Sequence, residues 1–484
     1  MASARVVASV LQLAAAVVLA RLVSPAEFGR AAVAVVLVPM SVIFLFEGFG
    51  SALVQRKEIT RRHLEAATLV SLVTGVLLTG LVLALAPVVS PPVFGPRVGS
   101  LMQISCIGSS LAGLATVSRA MLWRQLDFRR ISLIEVASLI IGSVSSVALA
   151  AAGLNAEAIV LGAVMMTASA SGMLLVSVRP VLPRWHGPEL RELARFGVPA
   201  SLAGLTQVSF NNIDYAVLAA RLSAAQVGLY WRAFQVGVVY QEKVSGVMAR
   251  LAFPIYSRTS DVEELKALHE RATRLLAVII IPLLAIVAFT APEFVPWAFG
   301  DAWQESVLPT QILCVAGIVT AVLRGSHQLV LAAGRPRALL GFNVGMLVAY
   351  GATVWFTAPL GIVRVSVAVA TLYVLMLVSF YAFLLRPIAG VAVRRIFFDV
   401  GPALAASLAL LAVGVPMAEL MRSLDAAPLV VMCPASLVGL GMYAATLRMG
   451  FPAAWADLHG LVRRVVGPRR LFARRRAVAS SSAP

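Results

Sequence analysis

The sequence predicts an all-α integral membrane protein of about fourteen transmembrane helices, arranged as two parallel six-helix repeats plus two extra C-terminal helices. Three observations carry this: a shortage of charge, basic loops that alternate from side to side, and an internal repeat. Of 484 residues, 60% are hydrophobic and only 13% charged, against the ~25% charge usual in a soluble domain. Mean hydropathy is +0.91.

Fourteen apolar segments are long enough to span a bilayer, at roughly 20 residues each. They lie near 4–22, 28–49, 66–87, 98–118, 131–152, 157–178, 197–219, 228–250, 273–291, 306–333, 338–358, 364–385, 399–419 and 428–447. Pro and Gly punctuate several boundaries, as in Ser90-Pro91-Pro92 and Gly334-Arg335-Pro336. Lys and Arg then alternate in the manner of the positive-inside rule. One side of the membrane receives 30 of them and the other 7, with Lys243, Arg250 and Arg324 left within or at the ends of helices. The bias predicts that both termini face the cytoplasm.

The repeat is visible in Ala20-Arg21-Leu22 followed by Ser24-Pro25-Ala26-Glu27-Phe28-Gly29. It returns as Ala220-Arg221-Leu222 followed by Ser223-Ala224-Ala225-Gln226-Val227-Gly228. Gln103-Ile104-Ser105-Cys106 likewise matches Gln311-Ile312-Leu313-Cys314. Segment one pairs with seven and four with ten, so each copy has six helices. Six is even, and both copies enter the membrane in the same direction, related by an axis along the membrane normal. The expected organisation is an N-terminal lobe over 1–195, a C-terminal lobe over 196–390, two added helices over 391–447 and a basic cytoplasmic tail over 448–484.

Several function classes are excluded by pattern. The net charge of +18 sits in short loops and the tail, without the aromatic-interleaved basic face of nucleic-acid binders, so no nucleic acid is expected. Cys106, Cys314 and Cys433 are separated and lie in apolar runs, which suits small core residues better than disulfides or metal ligands. No cleavable signal is evident, and the first apolar run is expected to remain as a helix. No Gly precedes a Lys, so a phosphate-binding loop is missing. The histidines at 63, 186, 269, 327 and 459 are scattered. The expectation is a protein that is not an enzyme and holds no resident cofactor. Residues 261–274 suit an amphipathic surface helix, and the tail from Trp455 to Arg476 an interfacial helix on anionic lipid.

Ionisable residues inside spans cost about 2.5–3.5 kcal/mol at a helix centre, so they mark cavities or partners. Segment seven carries Gln207, Asn211, Asp214 and Arg221 on one helical face, with Asn212 beside them. Segment eight offers Arg232, Gln235 and Glu242 on one face with Lys243 adjacent, and segment ten offers Thr320, Arg324 and His327. Segment two ends in Glu47, Arg119 aligns with His327, and Arg21 repeats Arg221. Asn212 has a counterpart in Gln12, but Asp214 aligns with Ala14, so the charge pattern is not shared between the copies. Together these residues suit a polar cavity with cations for an anionic ligand and a carboxylate available to a proton. The competing reading is structural: an ion pair of Asp214 with Lys243, or snorkelling by Arg21 and Arg221.

These residues sit among stretches similar to a known family. Leu19 to Gly29, Gly48-Phe49-Gly50-Ser51-Ala52-Leu53-Val54-Gln55-Arg56-Lys57-Glu58-Ile59, Leu122-Trp123-Arg124-Gln125-Leu126-Asp127-Phe128, Asn212-Ile213-Asp214, Gly228-Leu229-Tyr230 and Phe253 to Arg258 resemble the Wzx-like oligosaccharide flippases and polysaccharide exporters. These belong to the multidrug/oligosaccharidyl-lipid/polysaccharide exporter superfamily, and the resemblance covers about 4–390. It implies two six-helix lobes in a V around a central cavity, and alternating access. It also implies an undecaprenyl-diphosphate-linked oligosaccharide as ligand, antiport of H+ or Na+, and residence in the bacterial inner membrane. Membrane lipids and polysaccharide polymerase machinery are the implied partners. A multidrug or lipid II exporter of the same superfamily is the alternative, and a membrane-embedded polymerase is disfavoured by its need for a long periplasmic loop.

Overall fold

A computed structural model describes residues 2–179, 181–242, 245–246, 256 and 262–466. All regular structure among them is helical. The chain runs α1 (Ala2–Leu22), α2 (Pro25–Val35), α3 (Leu37–Leu45), a π turn (Phe46–Gly50) and α4 (Ser51–Gln55). It continues through α5 (Arg61–Val93), α6 (Pro96–Arg124), α7 (Phe128–Ala151), α8 (Ala156–Ser177), α9 (Gly187–Arg221), α10 (Ala224–Phe234) and a second π turn (Gln235–Val239). Then come α11 (Val262–Phe299), α12 (Val307–Ala332), α13 (Pro336–Thr357), α14 (Ile362–Phe380), a third π turn (Tyr381–Leu385) and α15 (Arg386–Ala389). The last helices are α16 (Arg395–Ser423), α17 (Pro428–Gly450) and α18 (Pro452–Val466).

Among the described residues, ten helices are long and apolar enough to cross a membrane: α5 to α8, α11 to α14, α16 and α17. The other four expected segments fall on α1, on α2–α3, on α9, and on α10 with its π turn, and are helical where described. Residues 262–274 do not form a separate surface helix. They are the first turns of α11, which runs 38 residues without a break, because no Gly or Pro interrupts the stretch until Pro282. The expected tail helix is present to Val466, and residues beyond it lie outside those described. Cys106 and Cys314 are buried, but Cys433 is exposed on α17.

The helices group into two compact units: 1–240 with 291–316 and 335–380, and 241–290 with 317–334 and 381–484. In the first, α2 and α10 begin alike. Ser24 and Ser223 are extended N-caps whose hydroxyls accept from the backbone N–H of Glu27 and Gln226. Both helices then run 11 residues. They cross with backbone against backbone. A Cβ on Gly29 would overlap the Ala224 carbonyl, and one on Gly228 would overlap the Pro25 carbonyl. Close approach of this kind needs glycine.

The α5–α6 pair is a seam of small residues. Gly75 lies against Ser109 and Gly113, and Thr79 donates to the Cys106 carbonyl at 2.8 Å. The opposite edge of α5 exposes Val76, Leu77, Leu81 and Val88. Where α4, α5 and α9 meet, charged pairs border an apolar cluster that includes Leu53, Ala67 and Leu193. Arg124 donates to the carbonyls of Leu53 at 3.1 Å and Lys57 at 2.6 Å, capping α4. Glu192 is held by Arg56 at 2.5 Å and His63 at 3.2 Å, and buried Glu65 by His186 at 2.7 Å and Arg61 at 3.0 Å.

In the second unit α16 and α17 pack as a hairpin. Tyr443 of α17 donates to the Val278 carbonyl of α11 at 2.8 Å. Arg395 binds Glu270 at 2.6 Å, and Arg271 binds Asp457 of α18 at 3.0 Å, so charged pairs tie α11 to α16 and to α18.

Two stability tests follow from these contacts. Gly228→Val is expected to cost about 1–3 kcal/mol through overpacking, whereas Gly80→Ala, where a Cβ meets nothing, gains up to about 1 kcal/mol in helix propensity. Thermal unfolding in detergent separates the two. The hydrogen bond from His63, then that from Arg56, holds the Glu192 carboxyl below its ordinary value of 4.5. A carboxylate depressed in the folded state stabilises above its unfolded pKa and loses that contribution as pH falls through the folded value. Glu192→Gln is therefore expected to lower Tm at pH 7, with the difference from the parent shrinking below pH 4.5.

Candidate functional site

The polar residues of the spans fall into separate places. In the first unit, Asp214 of α9 is fully buried. Tyr350 of α13 donates its hydroxyl to Asp214 Oδ2 at 2.9 Å, while Oδ1 has no hydrogen-bond partner among the described residues. No described Lys or Arg forms an ion pair with this carboxylate. The Tyr350 ring continues into a wall of aromatics. It lies 5.6 Å from Phe210 of α9 and 5.8 Å from Tyr373 of α14, and Tyr215 lies 6.4 Å from Tyr230 of α10. A carboxylate so placed has little solvation and one neutral donor, so it can exchange a proton or accept a small cation at low desolvation cost.

The neighbours of Asp214 in sequence do not join it. Asn212 is half-buried and donates to the Val208 carbonyl of its own helix at 2.8 Å. Arg221 is exposed and stacks on Trp355 with its guanidinium carbon 3.7 Å from the ring centroid. Arg21 donates to the carbonyl of Ala298 at 3.0 Å and to that of Trp297, two backbone groups at the end of α11. Arg119 is half-buried, 5.7 Å from the Phe46 centroid where the first π turn begins. Gln207, Asn211 and Glu47 lie in helical backbone, but their side chains lie outside the description, as does Lys243 entirely.

The second unit holds the other group. Arg324 of α12 pairs with Glu242, and each side chain is 34% exposed. The Arg324 Nε has no hydrogen-bond partner among the described residues. Gln241 donates to Thr320 Oγ1 at 2.9 Å and accepts from Ser245 at 2.9 Å, which brings the chain after the second π turn against α12. His327 is half-buried one turn beyond Arg324. Among the described residues, no three His, Cys, Asp or Glu side chains meet as a metal set.

Sequence reasoning found Asp214, Arg324, Thr320 and Glu242 but missed Tyr350, Tyr373 and Gln241. A tyrosine mid-span in an apolar run was the available signal, since a buried hydroxyl needs a partner. The shared face of Arg232, Gln235 and Glu242 does not exist. Arg232 is fully buried in the first unit, whereas Glu242 is half-exposed in the second.

Comparison with known proteins gives a consistent picture. The family described as "Polysaccharide biosynthesis protein" matches residues 18–308. The chain is 26% identical to an uncharacterized membrane protein in the cps region of Klebsiella pneumoniae, over 77% of this chain and 78% of that protein. It is 24% identical to the teichuronic acid biosynthesis protein TuaB of Bacillus subtilis, over 66% and 67% respectively. It is 23% identical to the lipopolysaccharide biosynthesis protein WzxC of Escherichia coli, over 78% of each. Among solved structures, the lipid II flippase MurJ in an inward closed conformation aligns with TM-score 0.72 and 12% identity, covering 92% of this chain and 99% of that one. An inward-facing multidrug resistance MATE family transporter of the MOP superfamily aligns with TM-score 0.63 and 13% identity, over 79% and 95%. The structural likenesses are of fold.

Tyr350→Phe removes the described donor of Asp214. It is expected to cost about 1–3 kcal/mol when the carboxylate is ionised, less at a pH where it is protonated, as read from thermal unfolding across pH.

Proposed function

We propose that this chain, which belongs to the polysaccharide biosynthesis protein family and shares its fold with a lipid II flippase and a MATE transporter of the MOP superfamily, is a transporter that flips an undecaprenyl-diphosphate-linked oligosaccharide from the cytoplasmic to the periplasmic leaflet. The names of the relatives, which concern a cps region, teichuronic acid and lipopolysaccharide, support a surface-glycan cargo. Polymerase machinery would take the unit on the far side.

The observation that carries the residue-level reading is Arg324. A guanidinium within an apolar helix is costly unless used, and this one is one-third exposed with an unpartnered Nε. A planar guanidinium is suited to a diphosphate, which it can grip through two parallel hydrogen bonds. His327, one turn beyond Arg324, would add a donor to the same anion, and Arg119 of the first unit is a separate candidate cation. Asp214 would carry the coupling cation, H+ or Na+: its buried Oδ1 is free of described donors. Arg21 and Arg221 would act as anchors at helix ends, given the carbonyl and tryptophan contacts they already make.

The topology we propose is fourteen spans in two parallel six-helix lobes, 1–195 and 196–390, with 391–447 as added helices and 448–484 as the tail. The reciprocal crossing of α2 and α10, Gly29 on Ala224 and Gly228 on Pro25, is what a two-fold relation would produce. The 30-to-7 bias of basic residues supports cytoplasmic termini.

Arg324→Ala and Asp214→Asn are each expected to abolish surface-polymer output at unchanged membrane abundance, and normal output from both would sink the assignment. Deletion is expected to leave complete lipid-linked units on the cytoplasmic side. Unpolymerised units on the periplasmic side would point to a polymerase, and unaltered polymer with drug sensitivity to a multidrug exporter.

A further inference from the structure

Arg232 is 1% exposed and is among the largest fully buried side chains. Four rings enclose its guanidinium. The central carbon lies 4.8 Å from the centroid of Phe28 on α2, 5.4 Å from Trp231 on α10, 4.5 Å from Phe299 at the end of α11 and 5.0 Å from Trp303. No described carboxylate pairs with it; the Tyr240 hydroxyl is its hydrogen-bonding neighbour, and neither Nε nor Nη2 has a hydrogen-bond partner among the described residues. Aromatic faces support the charge, but they do not replace acceptors for N–H groups, and buried polar groups are ordinarily satisfied.

The cage sits at the α2–α10 crossing, where residues 20–32 meet residues 224–232 and 297–303. Two other polar side chains at this crossing are bonded. Trp303, fully buried, donates Nε1–H to the Ala20 carbonyl at 2.9 Å, and Arg21 donates to the Ala298 carbonyl at 3.0 Å. Arg232 is thus a buried cation with unmet donors beside a close backbone contact.

We propose that Arg232 is a built-in spring that keeps the α2–α10 crossing reversible. Separation of the two helices admits water to Nε and Nη2, and closure strips it away. The closed arrangement is therefore penalised selectively, and the four rings hold the penalty within what the glycine contact can offset. An apolar side chain of similar length would lock the crossing shut. The proposal concerns opening alone and is independent of what is carried.

The test uses the full chain with Cys433→Ser and a reporter, Ala32→Cys, three residues beyond Gly29 on α2 and 5% exposed. Opening is read as the rate at which the thiol at position 32 reacts with a membrane-impermeant maleimide, in intact cells and in inverted vesicles. Arg232→Met is expected to slow labelling about tenfold, a bias of about 1.4 kcal/mol between the two arrangements, and to raise Tm in detergent. Arg232→Lys keeps the charge but loses the stacking plane, so labelling is expected to quicken and Tm to fall. If Arg232→Met lowers Tm, or leaves labelling unchanged or faster, Arg232 is a structural staple and the proposal fails. Should the Met variant not reach the membrane, Arg232→Lys decides: labelling no faster than the parent overturns it.

Discussion

Backbone contact between α2 and α10 at Gly29 and Gly228 governs much of the first unit. Helices that touch without side chains between them bring their flanking residues within reach as well. Phe28 is set 5.6 Å from Trp231 and 5.2 Å from Trp303. The turn that leaves α11 must then pass close by, and it does so through Gly300, whose φ of +100° suits a residue without a side chain. The rings gathered this way seal Arg232 from water. One steric condition therefore produces both a backbone-to-backbone helix contact and a buried cation.

Two buried ionisable groups of the first unit meet different fates. Asp214 keeps one hydroxyl donor and an aromatic wall, while Arg232 keeps four ring faces and leaves two donors unmet. No described ion pair joins either to a partner. Each is held by groups that are neutral whatever the other does, which leaves each free to respond separately to what arrives from outside. Ion pairs are found instead at helix ends, Glu192 with Arg56 in the first unit and Glu270 with Arg395 and Arg271 with Asp457 in the second.

Much of the helical framework was legible because apolar length and loop charge report it directly. The run 66–87 lies within α5 and 131–152 ends at the C-cap of α7, and the repeat that matches Ser24 with Ser223 returns as a pair of N-caps. The site was less legible, for two physical reasons. A face drawn at 3.6 residues per turn from Arg232 to Glu242 fails at the π turn over 235–239. One inserted residue there rotates all that follows by roughly 100°. And the partner of Asp214 is 136 residues away in sequence, a pairing no local period encodes. Arg21 and Arg221 look alike in sequence because both close a helix before a serine cap, yet one binds carbonyls and the other an indole.

The seam between α5 and α6 bears on the lipid itself. Helix α5 has 33 residues, about 50 Å at 1.5 Å per residue, against a hydrocarbon layer about 30 Å thick. Such a helix must lean, or lift its ends into the headgroups. Because Gly75 and Thr79, and farther along Ala86 and Ser90 against Gly99, bind it to α6, it cannot lean alone, and the two helices tilt as a plate. Lipid tails are as apolar as the ridge of Val76, Leu77, Leu81 and Val88, so they do not drive the pairing, which rests on close packing and hydrogen bonds. A thinner or thicker bilayer would therefore reorient the plate without prising it apart, making membrane thickness a mechanical input to this protein.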